Sequence, residues 1–174
     1  RRDREARGLS APDSVLGAIR AARSMLIASH SPLDGDGLGS GLALKRALEA
    51  AGKQVRIVTE APPPPSYSFL PGYDSIAVLG RGRVPQADIL LALDAGGPDR
   101  LGRLFAERPK GARVVNVDHH VSNSGYGDIN WIEDCHGDTY GLFAPVDASV
   151  VYTVGHSHFC GNVGGFPQTN PWTF

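Results

Sequence analysis

Three short apolar runs constrain the fold of this chain more than any other feature, because each run ends at a histidine or an aspartate. The runs cover residues 24–29, 88–93 and 113–117, and they are followed by His30, Asp94 and Asp118. Runs of this length and composition are typical of strands that are buried on both faces of a parallel sheet. Since the carboxyl ends of parallel strands meet at one edge of the sheet, the three polar residues are expected to lie close together.

The segments between these runs alternate between helical and extended patterns. Helices are predicted at residues 13–22, 39–51 and 100–107, and Gly52 closes the second helix. Residues 54–59 and 75–79 are predicted to be strands, and the four prolines at 62–65 indicate a stiff surface loop. The alternation predicts an α/β fold with a mostly parallel sheet flanked by helices.

Charge and hydropathy argue against a protein that attracts nucleic acid through its net charge and against a membrane protein. The 17 basic and 18 acidic residues leave a net charge of −1, so the protein as a whole does not attract nucleic acid by its charge. Any nucleotide would have to be bound by a local group of residues. No segment approaches the ~20 apolar residues of a membrane span, and the charged N-terminus does not resemble a signal peptide, so we expect a cytoplasmic protein without membrane contact.

Two cysteines, Cys135 and Cys160, do not make a disulfide scaffold. The start at Arg1 and the abrupt end at Phe174 suggest a fragment of a longer protein.

The first polar cluster places His30, Asp34 and Asp36 within seven residues. Glycines between the carboxylates allow a sharp turn, so that Asp34 and Asp36 can reach two different ions. A helix that starts near Gly39 would also offer free N–H groups to an anion. The alternative is a plain polar turn. A calcium loop is excluded, because its twelfth position requires Glu and Lys45 stands there.

The other two polar sites follow later strands. Asp94 could cap a helix or, as a carboxylate midway between two clusters, bridge both ions. In Asp118-His119-His120, neighbouring imidazoles of an extended segment point to opposite sides, so that one can bind metal while the other faces substrate. Asp118 could orient an imidazole, although a satisfied polar turn is the alternative. Mixed carboxylates and imidazoles suit a pair of ions such as Mn²⁺ or Mg²⁺, which favours a metal-dependent phosphoester hydrolase.

Four separated blocks of this sequence resemble the DHH phosphoesterase superfamily, and most closely its nanoRNase/pAp-phosphatase branch. The resemblance covers roughly residues 14–134. Its motifs are His30-x-x-x-Asp34-x-Asp36 with Gly39-Ser40, Leu93-Asp94 with Arg100-Leu101-Gly102, Asp118-His119-His120 with Val121-Ser122-Asn123, and Gly127-Asp128 with Asn130-Trp131-Ile132.

The resemblance implies a five-stranded parallel sheet and two Mn²⁺ ions, with Mg²⁺ as a substitute. Its metal ligands would be His30 and Asp34 for one ion, Asp36 and His119 for the other, and Asp94 as the bridge. His120 would contact the scissile phosphate beside Asp118, and Ser40, Arg100 and Asn123 are candidates for substrate binding. The implied substrates are short RNA and 3′-phosphoadenosine 5′-phosphate, attacked by a water whose pKa the two ions lower. A homodimer is compatible with this resemblance.

The chain departs from the family pattern towards its C-terminus. The family has one more Asp ligand in a late block, and His158 stands at the corresponding position. His158 could replace that ligand, Asp147 or Asp138 could serve instead, or the second metal site is damaged or weakened, which we favour over replacement. We therefore expect a catalytic core in residues 1–134, a degenerate or truncated remainder in residues 135–174, and no C-terminal substrate domain.

Two other functions fit the same residues. A manganese-dependent inorganic pyrophosphatase shares these blocks, although Asn130-Trp131 after the histidine pair favours the nuclease branch. A catalytically impaired fragment that binds only metal or nucleotide would also account for the missing late Asp and the missing second domain.

Overall fold

A computed structural model describes residues 11–133 of the chain. Its three α-helices are α1 (Ala11–Ala21), α2 (Gly35–Ala50) and α3 (Arg103–Ala106). Its six strands are β1 (Ser24–Ser29), β2 (Gln54–Thr59), β3 (Ala77–Val78), β4 (Ile89–Leu93), β5 (Arg113–Asp118) and β6 (Ile129–Ile132). Short 3-10 turns cover Pro65–Tyr67, Tyr73–Ser75 and Pro98–Leu101.

The six strands form one sheet in the order β3-β2-β1-β4-β5-β6, and every neighbouring pair is parallel. The chain leaves β1 through α2 towards β2 on one side and later crosses to β4 on the other side. The direction of winding therefore reverses between β1 and β4. Such a reversal opens a crevice at the carboxyl ends of the strands, where α/β proteins bind their ligands.

The central strands are apolar throughout because both faces of the sheet are covered. Alternate residues of β1 point to opposite faces, so Met25 and Ile27 pack in one cluster with α1 and α2. Leu26 and Ala28 pack in a second cluster on the other face, together with Leu104 of α3. All five residues of β4 are buried. This two-sided burial explains why β1 and β4 lack the apolar–polar alternation of a half-exposed strand.

The predicted fold class is confirmed: the chain forms a parallel sheet with flanking helices. The sheet has six strands among the described residues where five were expected, because β6 adds an edge strand beside β5. The strand predicted at 75–79 is reduced to Ala77–Val78. None of the described helices is long and apolar enough to cross a lipid bilayer.

All three helix predictions were wrong in their bounds. Helix α1 covers Ala11–Ala21 and not residues 13–22. Helix α2 begins at Gly35 and not at residue 39, because the Asp34 side chain caps it by accepting hydrogen bonds from the N–H groups of Asp36 and Gly37. The helix predicted at 100–107 is interrupted at Gly102, whose φ of 52° lies in the left-handed region. The proposed division at residue 134 and all residues beyond it lie outside the described part of the chain.

Candidate metal centre

The carboxyl ends of three neighbouring strands bring the predicted polar residues together. Ser29 of β1 lies opposite Leu93 of β4, and Leu93 lies opposite Val117 of β5. The residues that follow these positions therefore share one edge of the sheet, next to the first turn of α2. They are His30 after β1, Asp34 and Asp36 at the start of α2, Asp94 after β4, and Asp118, His119 and His120 at the end of β5.

Asp94 occupies the centre of this group. It is 8% exposed, and its two carboxylate oxygens face different histidines. Oδ2 lies 3.5 Å from Nε2 of His30, and Oδ1 lies 3.1 Å from Nε2 of His119. Its φ of 53° is unusual for a residue with a Cβ, and such strained backbone is concentrated at functional sites. Asp94 therefore has the position that a bridging carboxylate needs.

The first candidate ion site combines His30, Asp34 and Asp94. Nε2 of His30 lies 3.3 Å from Oδ2 of Asp34, and the ligand atoms of all three residues lie within 4.8 Å of one another. Adjacent ligands of an octahedral ion with bonds of about 2.1 Å are separated by about 3.0 Å. The three side chains form a group that could hold one divalent cation.

The second candidate ion site combines Asp36, Asp94 and His119. Nε2 of His119 lies 3.7 Å from Oδ2 of Asp36, in addition to its contact with Asp94. Asp118 and His120 also lie within reach of an ion beside Asp94 and His119. The helix cap places the two acids on different sites, because Asp34 precedes α2 while Asp36 lies in its first turn.

Nδ1 of His120 is closer to Asp118 than to the candidate ion ligand Asp94. Nδ1 of His120 lies 2.7 Å from Oδ1 of Asp118, compared with 3.6 Å from Oδ1 of Asp94. The Asp118 side chain has no exposed surface, whereas 42% of the His120 side chain is exposed. A buried carboxylate that accepts a hydrogen bond from Nδ1 leaves Nε2 of the imidazole as the free ring nitrogen.

The electrostatics of His30 reflect its two neighbours. The hydrogen bond with Asp94 raises the pKa of His30 above its usual value, against the opposing effects of burial and of Arg100. The Nη2 atom of Arg100 lies 3.3 Å from Nδ1 of His30, and a guanidinium can only donate. Arg100 itself is exposed, so a positive charge stands at the border of the acidic cluster.

The other two residues predicted to bind substrate have different surroundings. The hydroxyl of Ser40 is buried in α2 and has no hydrogen-bond partner among the described residues. Asn123 uses both ends of its amide within the protein, in bonds to Asn116, Asp118, Ala95 and Gly125. His158 and its alternatives lie outside the described residues.

Sequence reasoning missed two residues that shape the site. Gly37 allows α2 to approach β1 and β4, because a Cβ there would lie 2.1 Å from Oγ of Ser29 and 3.3 Å from Oδ2 of Asp94. Asn116 is fully buried in β5 and bonded to Asn123 and Asn130. The sequence signal for Asn116 was a polar residue inside the otherwise apolar run Val-Val-Asn-Val.

Comparison with known proteins gives one family and several relatives. The family model described as the DHH family, N-terminal domain, matches residues 24–157. A protein of Thermus thermophilus named bifunctional oligoribonuclease and PAP phosphatase NrnA is 36% identical over 107 residues, which are 62% of this chain and 31% of that protein. The protein of the same name from Bacillus subtilis is 24% identical over 110 residues, covering 63% of this chain and 33% of the relative. The chain thus spans about one third of the length of these curated relatives.

A solved structure supports the fold independently. The crystal structure of an exopolyphosphatase-related protein from Bacteroides fragilis is similar, with a TM-score of 0.63 and 23% sequence identity. The likeness covers 71% of this chain and 38% of that one. At this identity the likeness concerns the α/β architecture alone.

Proposed function

The chain belongs to the DHH family, of which it carries the N-terminal domain, and from that premise we propose that it is the metal-binding part of a phosphoesterase. Its proposed substrates are short oligoribonucleotides and 3′-phosphoadenosine 5′-phosphate. The observation that carries the proposal is the placement of Asp94, whose two oxygens face the histidines of two separate ligand clusters.

The donor set fits two divalent cations of the Mn²⁺ or Mg²⁺ type. His30 and Asp34 would hold one ion, Asp36 and His119 would hold the other, and Asp94 would contact both. Hard carboxylate oxygens outnumber imidazoles in this set, which suits these ions better than a thiol-preferring metal. Two bound cations would lower the pKa of a water and neutralise the charge that develops on a phosphoryl group.

The residues around the ligands have separate tasks in this proposal. His120, with Nδ1 bonded to Asp118, offers Nε2 to the phosphoryl group or to the leaving oxygen. Arg100 adds a guanidinium beside His30, where it would bind a second phosphate of a nucleotide substrate. The burial of Asp94 and His30 removes water from their surroundings and strengthens both contacts with cations.

The names of the two curated relatives favour nucleotide substrates over inorganic pyrophosphate. Both relatives are named oligoribonuclease and PAP phosphatase. Because this chain spans about one third of each of them, the substrate preference is a proposal for the protein to which this domain belongs. We further propose Mn²⁺ as the resident ion.

The test is hydrolysis by the purified chain with added Mn²⁺, using a short RNA, 3′-phosphoadenosine 5′-phosphate and inorganic pyrophosphate in parallel. The proposal predicts release of mononucleotide or phosphate from the first two, loss of release on chelation, and loss in Asp94→Ala. The matched control is Asp88→Ala, which removes an aspartate at the opposite edge of the sheet. Turnover of pyrophosphate alone would establish the pyrophosphatase alternative, and metal binding without any turnover would establish the impaired fragment.

A further inference from the structure

A row of three asparagines, of which Asn116 is fully buried and Asn123 and Asn130 are partly exposed, runs from β6 to the candidate metal centre. Asn116 has no exposed surface, and its Nδ2 atom lies 3.1 Å from Oδ1 of Asn123 on one side and 3.1 Å from Oδ1 of Asn130 on the other. An amide nitrogen carries two hydrogens, so both hydrogens of Asn116 are used in this row. A polar side chain in the interior costs free energy unless it is satisfied, as Asn116 is.

The orientation of the Asn123 amide follows from its neighbours. Its Oδ1 accepts hydrogen bonds from Asn116 and from the N–H of Gly125, the latter at 2.8 Å. Its Nδ2 donates to Oδ2 of Asp118 and to the carbonyl oxygen of Ala95, the latter at 3.2 Å. The opposite orientation would set the amide oxygen against a carboxylate and a carbonyl. The network therefore fixes which end of Asn123 faces Asp118.

The two oxygens of Asp118 then have different partners. Oδ2 accepts from Asn123, and Oδ1 lies 2.7 Å from Nδ1 of His120. With the carboxylate held from the far side by Asn123, Oδ1 remains directed at Nδ1 of His120. Because a carboxylate only accepts, this contact favours the neutral tautomer with the proton on Nδ1. Hydrogen-bonded partners behind a functional histidine fix its tautomer and its ring orientation in this way.

From this chain of contacts we infer that Asn123 is a positioning residue for His120, acting through Asp118, and not a direct contact of the substrate. The inference rests on the proposed function, because it concerns the residue that would face the phosphoryl group. In this arrangement Asn123 links Asn116 in the middle of β5 to Asp118 at the C-terminal end of the same strand.

Asn130 provides a matched control within the same row. Its Oδ1 accepts from Asn116 and from the N–H of Gly127, and its Nδ2 donates to the carbonyl oxygen of Gly127 at 2.8 Å. Truncation at Asn130 therefore removes an equivalent partner of Asn116 without touching Asp118. A purely structural role predicts similar effects of Asn123→Ala and Asn130→Ala.

The first measurement is the nitrogen NMR spectrum of the His120 ring in the metal-free chain, at a pH where this ring is neutral. We expect mainly the Nδ1–H tautomer in the unaltered chain and in Asn130→Ala, and a shift towards the Nε2–H tautomer in Asn123→Ala. Should Asn123→Ala fail to fold, Asn123→Leu replaces it, since leucine has nearly the shape of asparagine and carries no group that can donate to Asp118. Unchanged His120 nitrogens in the folded Asn123 variant would overturn the inference.

The second measurement is hydrolysis of a short RNA by the Mn²⁺-loaded chain. We expect kcat to fall about 10- to 100-fold in the Asn123 variant, with KM within about twofold, and neither to change comparably in Asn130→Ala. Equal losses in the two variants would overturn the inference. If the unaltered chain hydrolyses nothing while the tautomer shifts as expected, the positioning of His120 stands and the proposed function fails.

Discussion

At the scale of single residues, Asp94 combines three unusual properties at one position. Its left-handed backbone, its burial and its contacts with two histidines coincide at the end of one strand. The sequence predicted this residue as a bridge because the carboxylate stands midway between two clusters of metal-binding residue types. The backbone strain and the different partners of its two oxygens depend on neighbours that are distant in sequence. They could therefore not be predicted from the sequence alone.

The two neighbouring histidines are expected to respond differently to truncation. His119→Ala should weaken Mn²⁺ binding by at least about tenfold, because Nε2 of His119 faces both Asp36 and Asp94. His120→Ala should leave Mn²⁺ affinity nearly unchanged and lower kcat by about 100-fold or more, because its Nδ1 is bonded to Asp118. Calorimetric titration with Mn²⁺ and steady-state kinetics separate the two effects. A larger loss of affinity in His120→Ala than in His119→Ala would reverse the assignment.

At the scale of elements, the start of α2 contains Asp34, which caps the helix and which we propose as a metal ligand. Asp34 caps the helix through Oδ1 and faces His30 through Oδ2. The sequence placed the helix start four residues too late, because the glycine-rich segment 35–39 has low helix propensity by itself. The cap and the packing of Leu38 against the sheet outweigh that propensity.

Substitutions at Asp34 can separate its two tasks. Asp34→Ala should destabilise the chain by about 1 kcal/mol through loss of the cap. Asp34→Ser should retain most of that stability, since serine is also a good cap, while Mn²⁺ affinity falls in both variants because the carboxylate is gone. Urea unfolding and Mn²⁺ titration of the two variants provide the check. Full Mn²⁺ affinity in Asp34→Ser would show that the carboxylate is not a ligand.

Two glycines one turn apart in α2 offer a matched test of its packing. A Cβ at Gly37 would meet Oγ of Ser29 at 2.1 Å and its Cβ at 3.0 Å, so rotation of the serine hydroxyl relieves only part of the clash. A Cβ at Gly41 would meet Cγ2 of Ile27 at 3.5 Å, which is ordinary contact. Gly37→Ala should therefore cost about 1–3 kcal/mol, whereas Gly41→Ala should be neutral or stabilise by up to about 1 kcal/mol. Thermal unfolding that ranks the two variants in the opposite order would contradict this packing.

At the scale of the whole molecule, the position of the site follows from topology. The reversal between β1 and β4 sets His30 and Asp94 on adjacent strand ends, and β5 adds its histidines beside them. The sequence predicted this convergence because three apolar runs each ended in a metal-binding residue type. It did not predict β6, whose half-buried residues Ile129–Ile132 mix polar and apolar side chains. Nor did it predict the asparagine row, since its hydrogen bonds join two strands and a loop.

We propose that three strand ends and the start of α2 form one centre for two ions bridged by Asp94. Titration of the metal-free chain with Mn²⁺, followed by electron paramagnetic resonance, tests this centre, with Asp94→Ala and Asp88→Ala alongside. We expect two Mn²⁺ per chain with magnetic coupling between them, retained in Asp88→Ala, and loss of coupling with weakened binding of both ions in Asp94→Ala. A single uncoupled Mn²⁺ per chain, or coupling that survives Asp94→Ala, would refute the bridging role of Asp94.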